Sequence, residues 1–135
     1  MLLDTSGWLC LLHRAEAQHT DAVTLFEASV LKITHSYVLA EFIVLANARG
    51  LPRQAALAFA ADLQDSPEVE MIWVDEALHR AGLVLLQKHL DKEWSLCDAV
   101  SIILMRQRGV REALTTDHHF EQAGLVRLLK PPVLR

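Results

Sequence analysis

Hydrophobic positions along the chain alternate between short apolar blocks and longer stretches with helical spacing. The opening block, Met1-Leu2-Leu3, is too short for a helix and reads as a strand. Thr5 and Ser6 follow as candidate N-caps, and Trp8, Leu9 and Leu12 form the apolar stripe of a first helix. A second helix is predicted from about Thr20, with Val23, Phe26 and Val30 on one side. Residues 31–34 read as a strand. Ser36 caps a third helix through Ala48, which Gly50 closes. Pro52 opens an Ala-rich helix that stops before Ser66-Pro67. Residues 69–74 form a strand, after which Asp75 caps a helix carrying Leu78, Ala81, Gly82, Leu85 and Leu86. Ser95 starts a helix that runs through Arg108 and ends at Gly109. Its interior, from Ala99 to Met105, is apolar nearly all round, which predicts a central position. Residues 113–115 and 126–129 are short strands.

Strands separated by helices imply an α/β fold with a parallel sheet covered on both faces. Such sheets bind ligands at the carboxyl ends of their strands. The 135 residues fit one domain, 1–135, and 52% hydrophobic against 22% charged residues excludes disorder as the main state. A net charge of −4 excludes a wholly basic nucleic-acid-coating protein. Two cysteines, Cys10 and Cys97, exclude a disulfide scaffold and fit a reducing cytosol. No secretory segment is visible, and no apolar run approaches the roughly 18 residues of a membrane span. A cytoplasmic protein is expected.

Four acids stand in apolar surroundings. Asp4 follows the first strand directly, and Asp117 follows the strand at 113–115. Glu41 and Asp98 lie in early turns of helices, within Val38-Leu39-Ala40-Glu41-Phe42 and Leu96-Cys97-Asp98-Ala99-Val100. A buried carboxylate needs a proton, a cation or hydrogen bonds. Four carboxylates gathered without matching Lys or Arg repel each other, and a divalent cation relieves that; hard oxygen donors suit Mg²⁺ or Mn²⁺. Each acid also has a local explanation. Asp98 completes a capping-box pattern with Ser95, Asp117 can cap the helix carrying Phe120, Asp4 can serve a turn, and Glu41 can face water.

At these residues the sequence resembles a PIN-domain ribonuclease, in particular the toxin of a VapBC-type toxin–antitoxin pair. Four segments carry the likeness in order: Leu2-Leu3-Asp4-Thr5-Ser6, Leu39-Ala40-Glu41-Phe42, Leu96-Cys97-Asp98-Ala99-Val100-Ser101 and Leu114-Thr115-Thr116-Asp117-His118-His119-Phe120. The last is the most specific: an apolar strand, Thr, a variable residue, Asp, two residues and Phe. The resemblance implies a three-layer α/β/α PIN-like fold and one or two Mg²⁺ or Mn²⁺ ions held by Asp4, Glu41, Asp98 and Asp117. It implies endoribonuclease action on RNA, a cognate antitoxin that blocks the site, and a homodimer.

The expected chemistry is metal-assisted phosphodiester hydrolysis. Asp4 and Asp98 rank first as ligands, Glu41 binds metal or a metal-bound water, and Asp117 completes the cage or binds a second ion. Thr5, Ser6 and Thr115 are candidates for orienting carboxylates or waters, with capping as their alternative role. With the four site acids set aside, the remaining charges balance, so RNA is not repelled globally. Six basic residues, Arg106, Arg108, Arg111, Arg127, Lys130 and Arg135, offer phosphate contacts or a solvated surface. His118 and His119 are expected at the surface, Phe120 in the core, the cysteines as small buried hydrophobes, and Trp8, Trp73 and Trp94 in the core or an interface. The alternative function is a catalytically idle PIN-like module that acts through protein or RNA contacts.

Overall fold

Leu2 and Leu3 are both wholly buried, which a strand achieves only with neighbours on either edge and layers on either face. The computed structural model, which describes residues 1–131, provides both. Its strands are β1 (Leu2–Leu3), β2 (Ile33–His35), β3 (Glu70–Ile72), β4 (Glu112–Leu114) and β5 (Val126–Arg127). They form one parallel sheet in the order β3-β2-β1-β4-β5. Leu2 is in register with Ile33 on one side and Ala113 on the other, and Leu3 with Leu114.

Successive side chains point to opposite faces. Leu2, Ile33 and Ala113 pack against Met105 of α6 (Leu96–Arg108) and Phe120 of α7 (His119–Gln122). Leu3 and Leu114 pack against Trp8 of α1 (Thr5–Leu12) and Val38 and Phe42 of α3 (Ser36–Ala48). Ala22 of α2 (His19–Ala28) and Ala56, Ala60 and Leu63 of α4 (Arg53–Gln64) extend that second layer. Leu78 of α5 (Glu76–Lys88) packs on Val100 and Leu104 of α6. This is the expected three-layer α/β/α arrangement. As expected, α6 is central, with Cys97 through Ile102 all buried.

The chain steps outward from β1 through β2 to β3, then returns to lay β4 on the other side of β1. The order therefore reverses between β1 and β4, and a crevice opens outside the carboxyl ends of such a pair. Asp4 and Thr115 stand there.

Several local expectations change. The second strand starts at Ile33, not at 31, because pairing begins where the Ile33 N–H donates to the Met1 carbonyl at 3.0 Å. Val30 lies beyond the end of α2 and is exposed. The N-cap of α1 is Asp4, not Thr5 or Ser6, and that of α3 is His35, not Ser36. The Ser36 hydroxyl accepts instead from the Val74 N–H at 2.9 Å. Asp75 and Ser95 cap as expected. Trp8 and Trp94 are buried, whereas Trp73 is 60% exposed because it leaves the carboxyl end of the edge strand β3.

One close approach seats α1. A Cβ on Gly7 would lie 2.0 Å from the Leu114 carbonyl oxygen, inside the sheet backbone. Alanine is the better helix former by about 1 kcal/mol, but backbone cannot yield to relieve such a clash. Gly7→Ala should therefore lower stability by about 3 kcal/mol or more, read as a fall in the urea midpoint.

His35 is wholly buried; its Nε2 lies 2.7 Å from the Ser101 hydroxyl and its Nδ1 has no partner. Burial pulls its pKa down to about 4. The folded state therefore requires the neutral ring. Its contribution is complete above the unfolded value near 6.5 and is lost as pH falls towards 4. Between those limits wild type should lose on the order of 3 kcal/mol that His35→Gln does not lose, measured by denaturant unfolding of both at each pH.

Candidate active site

Asp4 directly follows β1 and is almost wholly removed from water. Its Oδ2 accepts from the Thr115 hydroxyl at 2.8 Å, while its buried Oδ1 has no partner among the described residues. Burial pushes the Asp4 carboxyl up to about 7. The Thr115 bond opposes that shift, the charge of Asp98 adds to it, the Thr5 backbone bond opposes it, and Glu41 adds again. Three of the four acids thus act on one another across the crevice.

Asp98 occupies the first turn of α6. Its Oδ2 accepts from the Ser95 N–H at 3.0 Å, and its own N–H donates to Ser95 Oγ at 3.0 Å. The capping box and the shared site are therefore compatible, since the bond that fixes the helix start also holds the carboxylate at the sheet edge. Glu41, one turn into α3, is exposed. Burial, followed by the charges of Glu41, Asp4 and Asp98, raises the Cys97 thiol far above the usual range. Cys97 is buried as expected, but it sits among the acids.

Asp117 follows β4 in a loop held by hydroxyls. Its N–H donates to Thr115 Oγ1 at 3.0 Å, and the Thr116 N–H donates to Ser6 Oγ at 2.9 Å. The Ser6 and Thr115 hydroxyls meet at 3.2 Å. Thr115 and Ser6 therefore orient Asp4 and the Asp117 loop together. Thr5 is buried, and its hydroxyl has no partner. Asp117 Oδ1 accepts from the His119 N–H at 2.9 Å, which starts the turn into α7 rather than capping a long helix.

His119 departs from its expected surface position. Its Nδ1 lies 2.9 Å from Asp98 Oδ2 and 3.2 Å from Asp117 Oδ2, and its side chain is only 18% exposed. His118, at 65%, faces solvent as expected. Consecutive residues on a helix point about 100° apart, so a buried Phe120 leaves only one of the two histidines facing the acids. That commitment of Phe120 was the available signal. Trp94 adds a second clasp: its Nε1 donates to Gln122 Oε1 at 3.0 Å, tying the segment before α6 to the end of α7.

The donor set fits a divalent cation. It is carboxylate-rich, the charges of Asp98 and Glu41 add to the upward shift of Asp4, and among the described residues a buried oxygen of Asp4 has no partner. The basic residues expected as phosphate contacts are largely engaged elsewhere. Arg108 pairs with Glu70 at 2.9 Å, and Lys130 with Glu121 at 3.3 Å. Arg127 donates to the Thr116 carbonyl at 3.0 Å and so steadies the Asp117 loop. Arg135 lies outside the described residues.

The PIN-domain family model matches residues 1–125, a span that contains all four acids. The chain belongs to the PIN-domain family. Curated relatives include the 23S rRNA-specific endonuclease VapC20 from two strains of Mycobacterium tuberculosis, H37Rv and CDC 1551. Each is 32% identical over 129 residues, which is 95% of this chain and 97% of the relative. The crystal structure of M. tuberculosis VapC20, described as a sarcin-ricin loop cleaving toxin, matches with a TM-score of 0.86. That match is 31% identical and covers 96% of this chain and 98% of the other. The PIN domain here thus has the same overall architecture as that toxin, end to end.

Thr115 is the joint of this PIN-domain crevice. Thr115→Val removes the partner of Asp4 Oδ2 and the acceptor for the Asp117 N–H. It should cost about 1–3 kcal/mol in urea unfolding without added metal, and Thr115→Ser should stay within about 1 kcal/mol of wild type.

Proposed function

We propose that this PIN domain is a divalent-metal-dependent endoribonuclease of the toxin type, with Asp4, Glu41, Asp98 and Asp117 as its metal-holding acids. The observation that carries the reading is the buried, unpartnered oxygen of Asp4 among three acids at the point where the strand order reverses. Likeness to a 23S rRNA endonuclease over nearly the full chain supports RNA as the substrate. The sarcin–ricin loop of 23S rRNA is the first target to test, because the structural relative is described by its cleavage.

Asp4 and Asp98 would hold one or two Mg²⁺ or Mn²⁺ ions, with Glu41 and Asp117 completing the set. When bound, the ion supplies a water of lowered pKa and positive charge beside the scissile phosphate. The protein's own groups do the positioning. Thr115 fixes the rotamer of Asp4, Ser95 fixes that of Asp98, and Ser6 with Arg127 fixes the backbone that carries Asp117. Without a cation this cluster repels RNA phosphates, so binding and cleavage should share one metal requirement.

By the same likeness the chain would pair with an antitoxin protein, act in the cytoplasm and form a homodimer. Among the described residues no helix is long and apolar enough to cross a membrane.

The test is cleavage of a sarcin–ricin loop RNA by purified protein with Mg²⁺, with Mn²⁺ and with chelator. Asp98→Asn keeps an oxygen to accept the Ser95 N–H, so its fold should survive, which circular dichroism checks. Cleavage should vanish with chelator and fall roughly 100-fold or more in Asp98→Asn. Undiminished cleavage by a folded Asp98→Asn protein would refute the assigned site. A folded wild type that binds this RNA and leaves it intact with either metal would favour the binding-module reading.

A further inference from the structure

The four acids account for a carboxylate site, but they leave His119 without a role. Its Nδ1 lies within hydrogen-bonding distance of an oxygen from each of Asp98 and Asp117. One ligand atom from each of Asp117, His118 and His119 lies within 4.8 Å of the other two. The two histidines are not equivalent. His118 Nδ1 is 3.7 Å from Asp117 Oδ1 and its side chain is turned to solvent, while His119 is largely enclosed.

The spacing has a specific meaning. Neighbouring ligands on an octahedral ion with bonds of about 2.1 Å are separated by √2 times that length, about 3.0 Å. The His119 nitrogen stands 3.2 Å from Asp117 Oδ2, close to that edge, and 2.9 Å from Asp98 Oδ2, a separation that a hydrogen bond also gives. Its position is also built rather than incidental. Phe120 anchors the next residue in the core, and the Trp94–Gln122 bond ties the end of α7 to the start of α6. An independent sign that a ligand belongs here is the buried Asp4 Oδ1, which has no partner among the described residues and belongs to a carboxyl that feels the charge of Asp98.

We propose that His119 Nδ1 is a direct ligand of the divalent ion, so that the site is a mixed carboxylate–imidazole centre that favours Mn²⁺ over Mg²⁺. This rests on the reading that the acids hold metal. The bias follows from donor chemistry: Mg²⁺ prefers hard oxygen and takes imidazole poorly, whereas a transition-metal ion accepts nitrogen readily. Four carboxylates alone give no such preference. His118 contributes nothing to it.

The experiment is Mn²⁺ binding followed by electron-spin-echo spectroscopy, together with calorimetric affinities for Mn²⁺ and Mg²⁺. Wild type should show a nitrogen bonded directly to Mn²⁺. The signal should change to the ¹⁵N pattern when only histidine is ¹⁵N-labelled, an arm that needs no variant. It should disappear in His119→Asn and persist in His118→Asn. The ratio of Mn²⁺ to Mg²⁺ affinity should fall about 10-fold in His119→Asn and stay within about 2-fold in His118→Asn. Mn²⁺ bound by wild type without a nitrogen signal, and lost in Asp98→Asn, would overturn the His119 assignment and leave the acid site standing. Absence of any Mn²⁺ or Mg²⁺ binding by wild type would overturn both.

Discussion

Taking the ionised Asp4 carboxylate out of water costs several kcal/mol, and the surrounding structure offsets only part of it. Thr115 supplies one hydrogen bond, the other oxygen has none, and Asp98 and Glu41 add repulsion. A hydrophobic residue would suit β1 better. The fold nevertheless holds a carboxyl group there, directly after the central strand and at the point where the strand order turns back. Stability is given up at this point in exchange for a group that is poised to lose its proton near neutrality.

The elements around Asp4 are organised to keep the acids at fixed separations. Gly7 lets α1 descend onto the Leu114 carbonyl, which brings the Ser6 hydroxyl to Thr115 and to the Thr116 N–H. Ser95 holds Asp98 at the head of α6, and α6 is buried on nearly all sides, so the helix start cannot drift. α7 is only one turn long and would not persist alone. It is held by Phe120 beneath, by Trp94 at its end and by the His119 bridge at its start. Segments distant in sequence thus meet through side chains of rigid elements rather than through mobile loops.

Most of this arrangement was legible in the chain, and the exceptions have physical reasons. The acids stood out because a carboxylate amid Val, Leu and Ile needs a compensating partner, wherever it lies. The strand–helix alternation gave the sheet, and the strand-end positions of Asp4 and Asp117 gave its candidate edge. His119 was missed because direction on a short helix depends on its first residue, and the chain does not mark whether His118 or His119 begins it. The helix starts at Asp4 and His35 were displaced by one or two residues for a related cause: Ser6 and Ser36 use their hydroxyls on β4 and β3 connections, not on their own helices. For Trp73, read as core or interface, the structure excludes the core, because hydrophobicity alone carries no information about whether a strand lies at an edge. The family likeness would have assigned the acids even without those arguments, but it says nothing of the histidine.

The two-residue strand β1 also governs when this protein can come into being during synthesis. Asp4 is made 111 residues before its hydroxyl partner Thr115, and the Asp117–His119 turn follows later still. Until β4 is released, β1 has an open edge, Leu114 cannot receive Gly7, and the crevice has only one wall. Contacts of such long sequence separation form late. A polypeptide that stops before β4 therefore carries the first acids without the last wall of the crevice.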